Sequence, residues 1–244
     1  MGVADEEMDG MSWRERPRPL VRFGAIGEGW ELFKQQWGAW MLAVLIVLIC
    51  NSAINAMIYA AFRLDHGRGV GGFRVPLRSE GRVLQAVLFW IVNGSFLGGM
   101  FRMACQQVRG YAVRVETLFS VVDVLPKLIL GSALYGLACF AGFSCLVIPG
   151  FVVAGVLMFT LPLIVDAGLP ATAALGQSWN ALKGEWLTAT AFHLVLWAIA
   201  GIGSCFCCVG LLFTAPIYSL AIAALYRDFF LAKGYFAKST PPFA

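Results

Sequence analysis

The sequence predicts an all-α, polytopic membrane protein. Six transmembrane helices, two or three amphipathic helices along the inner face and an internal parallel repeat are expected. Three observations carry this. The 244-residue chain is 59% hydrophobic and 13% charged, with a mean hydropathy of +0.76. Soluble domains run near a quarter charged, and a bilayer solvates the excess apolar surface. Six apolar runs lie at about 40–62, 83–103, 128–148, 151–165, 187–207 and 211–226. Finally, one pattern occurs twice at a constant offset of 149 residues: Gly27-x2-Trp30-x3-Lys34-x2-Trp37 before the first run and Gly176-x2-Trp179-x3-Lys183-x2-Trp186 before the fifth.

Residues 1–22 open with acids and continue with arginines among prolines, and no apolar segment precedes the first run. A disordered tail is expected there, with the first span itself directing insertion. The membrane domain is expected over 23–236, followed by a short tail, 237–244. Pro149-Gly150 and Cys208-Val209-Gly210 leave almost no room between runs three and four and runs five and six, so each pair reads as a tight hairpin. Phe159-Thr160-Leu161-Pro162-Leu163 and Phe213-Thr214-Ala215-Pro216-Ile217 share a second pattern. A proline within a span frees a carbonyl that a neighbouring helix, a threonine hydroxyl or water must satisfy. Helix kinks and a hinge are both open readings.

Orientation follows from the basic residues. Arg63, Arg68, Arg74, Arg78 and Arg82 fall between runs one and two, and the other thirteen of the 18 Lys and Arg fall on the opposite side. Both termini are therefore expected inside. The inner stretches have helical spacing: Ile26, Trp30, Phe33 and Trp37; Leu175, Trp179, Leu182 and Trp186; and, without tryptophan, Tyr111, Val115, Leu118 and Val122. Such faces suit the headgroup layer, with Trp30, Lys34, Trp37, Trp179, Lys183 and Trp186 as interfacial anchors. Span two ends Phe101-Arg102 before Arg109-Gly110-Tyr111, and span six ends Tyr226-Arg227 before Lys233-Gly234-Tyr235, so spans one–two and five–six read as parallel copies of one unit.

Few residues carry chemistry. Asn51 and Asn55 lie one turn apart in span one, Asn93 sits in span two beside Gly94, Ser95, Gly98 and Gly99, and His193 lies in span five. Cross-helix packing and a ligand-lined cavity are the open alternatives for these four. Asp166 and Asp228 read as interfacial and solvated. Cys145, Cys205, Cys207 and Cys208 fall near the outer surface, where apolar packing or a disulfide is expected rather than a metal site, which needs four ligands. No histidine pair, phosphate-binding glycine loop or nucleophile elbow occurs, so neither enzymatic activity nor a cofactor is expected. The net charge of +4 forms no aromatic-interleaved basic patch, so nucleic acid is not expected. Membrane lipids, a protein partner or a second copy are the expected partners.

The amphipathic Trp/Lys helix, Arg109-Gly110 with Glu116-Thr117-Leu118-Phe119, the Ile148-Pro149-Gly150 hairpin leading to Leu163-Ile164-Val165-Asp166, and Ala174-Leu175-x2-Ser178-Trp179 with Lys183-Gly184-x-Trp186 carry a resemblance. From about residue 23 to 236 the chain resembles a broad prokaryotic family of uncharacterised six-span proteins. That family includes the membrane domain of glycerophosphoryl diester phosphodiesterases. The resemblance implies a bacterial cytoplasmic-membrane protein. It implies no catalytic residue, because in that family the phosphodiesterase chemistry belongs to a separate soluble domain. The expected role is structural or accessory, contacting lipid or a partner. The alternative is a small transporter or lipid-handling protein with a polar cavity near Asn51, Asn93 and His193.

Overall fold

The computed structural model describes residues 19–62, 79–205 and 207–231. The segment with Arg63 to Arg78, the residues from 232 onward, most of the expected N-terminal tail and the side chains of Cys205, Cys207 and Cys208 lie outside the described residues. Among those described there is no strand. The helices are α1 (Gly24–Gln35), α2 (Trp37–Phe62), α3 (Ser79–Val108), α4 (Leu125–Cys145), α5 (Val147–Val156), α6 (Thr160–Ala167), α7 (Ala171–Leu182), α8 (Trp186–Cys205) and α9 (Cys207–Tyr226). A 3-10 segment (Val115–Val124) precedes α4, another (Lys183–Glu185) joins α7 to α8, and a π turn (Arg227–Leu231) follows α9.

Five stretches are long and apolar enough to cross a membrane: Trp37–Ile58, Val115–Cys145, Val147–Ala167, Ala171–Ser204 and Gly210–Leu231. They mark the chain as a membrane protein. The long helices alternate in direction, so α1, α7 and the first 3-10 segment share one end of the bundle, here the basal end.

The joints differ from expectation. Pro149 and Gly150 lie inside the first turn of α5, and the break falls at Leu146, which is extended (φ −166°, ψ 158°). A first-turn proline sacrifices only an N–H that had no helical partner, so Pro149 does not break the helix. Cys208, Val209 and Gly210 likewise belong to α9. The third amphipathic stretch is 3-10 rather than α-helical. Its buried residues are Thr117, Leu118, Val121 and Val124, close to a period of three, while Tyr111 and Val122 are exposed. Side chains at i and i+3 eclipse in a 3-10 helix, so an α-helical spacing picks the wrong face.

The fourth run, expected as one span with a kink or hinge at Pro162, is interrupted just upstream of that proline, at residues 157–159. α5 stops at Val156 and α6 starts at Thr160. The Ser178 hydroxyl donates to Val156 O at 2.8 Å and accepts from Phe159 N–H at 3.2 Å, and the Thr160 hydroxyl donates to Leu157 O at 2.7 Å. A neighbouring helix and a threonine thus meet the freed backbone groups. The second proline, Pro216, leaves α9 continuous.

Helix α9 is the hub, packing against α1, α2, α3 and α8. Around one side of it, α3, α4, α5, α8 and α9 close a ring, each packed on the next. At the basal end α6 plugs this ring: Thr160 to Val165 are all buried, against α3 and α4. Glycines allow the approach. The Ile164 side chain occupies the space a Cβ on Gly131 would take, and Leu128 does the same at Gly98.

Candidate functional site

The expected polar residues separate into two places. Asn51 and Asn93 face each other between α2 and α3: Asn93 Nδ2 donates to Asn51 Oδ1 at 3.0 Å, and Asn51 Nδ2 donates to Val47 O at 3.0 Å. Asn55 Nδ2 donates to Asn51 O at 2.8 Å, and its Oδ1 accepts from Gln85 Nε2 at 2.7 Å. This is an amide ladder joining two helices. In hydrocarbon it satisfies polar groups that would otherwise be stranded.

His193 is elsewhere, on α8. It is fully buried, and neither ring nitrogen has a hydrogen-bond partner among the described residues. Its ring lies 5.8 Å from that of Trp197 and 5.9 Å from that of Tyr218. Thr190, one turn earlier, is already engaged, its hydroxyl donating to Trp186 O at 2.6 Å. The expectation of one cavity shared by Asn51, Asn93 and His193 therefore divides, because the asparagines spend their amides on each other and on Val47.

The basal end holds what the sequence reading missed. Asp166 is not solvated. Its side chain is 5% exposed and accepts from Arg109 Nη2 at 2.7 Å and from the Tyr226 hydroxyl at 2.9 Å. Arg102, 4% exposed, grips Asp123 with both terminal nitrogens at 2.9 and 3.0 Å and donates to Val165 O at 3.2 Å. Asp228 is paired too. Arg22 reaches Asp228 and Glu28, both at 2.7 Å, and Arg227 pairs with Asp228 at 3.0 Å and with Glu28. Arg22 is raised above its ordinary value, chiefly by its hydrogen bond to Asp228, with burial opposing. Burial pushes the Glu28 carboxyl up, but hydrogen bonds from Arg227 and Arg22 outweigh it and leave Glu28 below its ordinary value. Nearby, Val21 N–H donates to Glu185 Oε2 at 2.8 Å, pinning the chain entry to the start of α8. A signal existed for all of these: each acid and its arginine fall at the same end of the bundle.

The tryptophans lie on the outside of the basal end. α1 buries Ala25, Gly29 and Phe33, and α7 buries Ala171, Ala174, Ser178 and Leu182. The four expected anchors are exposed: Trp30 by 43%, Trp37 by 59%, Trp179 by 47% and Trp186 by 48%. Lys34 and Lys183 are exposed as well. Lys34 pairs with Glu31 at 2.8 Å, and Lys183 donates to Asn180 Oδ1 at 2.9 Å. The rings project outward because the small residues behind them are locked. A Cβ on Gly29 would meet the Ala221 backbone of α9 at 3.0 Å.

Among the described residues no group of three or more His, Cys, Asp or Glu is placed to hold a metal ion. The four described cysteine side chains, Cys50, Cys105, Cys139 and Cys145, are free thiols. No protein-family model, curated protein or solved structure matches this chain.

Proposed function

We propose that this is a six-span accessory protein of a bacterial cytoplasmic membrane, both termini inside, whose basal face lies in the headgroup layer and carries no catalysis of its own. One observation carries the reading. The buried residues Ala25, Gly29 and Phe33 recur as Ala174, Ser178 and Leu182 at the same 149-residue offset that separates the exposed tryptophans. Two bolted helices thus hold Trp30 and Trp179, and the helices that follow them begin with Trp37 and Trp186, so four indole rings fall at one end of the bundle, where an interfacial aromatic belt would lie. Among the described residues, Arg22, Lys34, Arg102, Arg109, Arg114 and Arg227 at the basal end are paired with acids of the chain, so the headgroup contact proposed for these residues rests on the rings more than on charge. The sixth span is α3, whose 30 residues reach about 45 Å and pack between α2 and α9.

Two measurements test this. In bilayers of lipids brominated high on the acyl chain, tryptophan fluorescence of the native protein is quenched more than that of a variant with Trp30, Trp37, Trp179 and Trp186 all changed to Phe. Equal quenching would sink the headgroup placement. In intact cells a membrane-impermeant thiol probe labels Gly72→Cys and spares Glu116→Cys, and the reverse pattern inverts the topology.

A second reading is favoured by a different observation, the unmet nitrogens of His193. It is that the protein handles a small molecule or lipid inside the bundle, on the His193 side rather than at the asparagine ladder.

A further inference from the structure

We propose that residues 19–23 form a strap with two resting places, docked across the basal end or laid into the headgroup layer, and that anionic phospholipid favours the second by taking Arg22. This rests on the headgroup placement above and names the regulation of that face.

The strap has no helical structure before Phe23 and is held at three points. Val21 N–H donates to Glu185 Oε2 at 2.8 Å just before α8, and the Val21 side chain is buried. Arg22 reaches Glu28 of α1 and Asp228 after α9, both at 2.7 Å. The Phe23 ring lies 6.0 Å from that of Phe192 on α8, which is fully buried. The second copy of the repeat does without all of this. At the 149-residue offset Val21 becomes Pro170, which has no N–H, Arg22 becomes Ala171 and Glu28 becomes Gln177. α7 is nevertheless seated by Ala174, Ser178 and Leu182. The strap is therefore an addition to the first copy and not a condition for seating its helix.

Its holds are made to let go. The Arg22 side chain is 45% exposed, and exposed ion pairs contribute little. Its departure strands no charge, because Arg227 already pairs with both Glu28 and Asp228. Glu185 is itself partly exposed, so water can take the place of the Val21 N–H. A segment held this way opens separately from the core beneath it. Leu20 and Phe23 are already exposed, by 67% and 45%, and release adds Val21. Three apolar side chains around one arginine suit the headgroup boundary, with the guanidinium reaching phosphate. A ligand shifts such an equilibrium only through differential affinity for the two states. An anionic headgroup has it, since Arg22 is engaged by two carboxylates when docked and free to pair with phosphate when released. A zwitterionic headgroup sets its own ammonium beside the phosphate and gains less.

The test compares the full chain in nanodiscs of phosphatidylcholine and of phosphatidylglycerol by hydrogen exchange at the Val21 amide. The amide of Ala221, fully buried in α9, reports opening of the bundle as a whole. Val21 should exchange several-fold faster in phosphatidylglycerol while Ala221 is unchanged. Arg22→Gln should exchange fast at Val21 in both lipids, with Ala221 still protected, and Arg22→Lys should keep the lipid response. Equal exchange at Val21 in the two lipids overturns the proposal. So does a parallel rise at Val21 and Ala221, which would mean that phosphatidylglycerol loosens the whole bundle. Release by inorganic phosphate in phosphatidylcholine discs overturns the membrane as the source of the anion. The tryptophan quenching above separates the two readings. Quenching that holds without a phosphatidylglycerol response sinks the strap alone, whereas quenching that fails sinks the headgroup placement and the strap's second resting place with it.

Discussion

The Tyr226 hydroxyl donates to Asp166 Oδ2 at 2.9 Å, and Arg109 Nη2 donates to the same oxygen at 2.7 Å. One carboxylate thereby ties the end of α9 to the end of α6 and to the residue following α3. Asp166→Ala would leave a buried phenol and an arginine without their acceptor. Arg109 is about one-third exposed, which lets water offset part of the loss. A cost of about 2 kcal/mol is expected, below that of breaking a fully buried pair. Tyr226→Phe removes only one neutral donor and should cost about 1 kcal/mol. Thermal unfolding in detergent checks both, and equal midpoints for the two variants would show that Arg109 does not depend on Asp166.

The Glu28 cluster should make stability depend on pH in a defined direction. Glu28 is held below its ordinary value in the folded protein. Its contribution is therefore complete above the unfolded carboxyl range and is lost as pH falls through the lower folded value. Comparing the native protein with Glu28→Gln isolates this group. The native chain should be more stable near neutrality, by no more than about 1 kcal/mol given the exposure of Arg22 and Arg227. The gap should close below about pH 4. A gap that widens on acidification would contradict the assigned direction.

Ser178 meets two backbone groups at the break between α5 and α6. Ser178→Ala strands both in a buried setting, at about 2 kcal/mol. Ser178→Gly strands the same groups and also loosens α7, so it should unfold at a still lower temperature. Hydrogen exchange should rise at Phe159 and its neighbours in either variant. Unchanged exchange there would mean that the break is held by packing alone.

The architecture was legible wherever composition chooses the solvent. The apolar runs and the tryptophan stretches follow from transfer chemistry that acts locally, whereas the shared Phe-Thr-x-Pro pattern accompanies a break before Pro162 and a continuous helix at Pro216. The joints were less so, because Pro149 breaks a helix in its interior and is welcome in its first turn, and residue type alone does not distinguish these. Asp166 was misread for another reason. Its partners lie 57 and 60 residues away, and burial that depends on such pairing has no local signature. The asparagines and His193 are all polar residues at membrane depth, but only packing decides which of them find each other.

The amide ladder makes the last prediction. Asn51 and Asn93 are each other's partners across α2 and α3, so their contributions should be coupled. Asn51→Ala leaves the Asn93 amide seeking a substitute, and Asn93→Ala does the same to Asn51. The double variant leaves neither stranded. A double-mutant cycle on thermal unfolding in nanodiscs should therefore show the pair losing less than the sum of the singles, by roughly 0.6 kcal/mol, the average for hydrogen bonds between membrane helices. Changing both residues to Leu fills the space with apolar atoms and should leave the fold intact. Strict additivity would mean that the two amides act independently, each satisfied by its own helix backbone, as the bond from Asn51 to Val47 already permits.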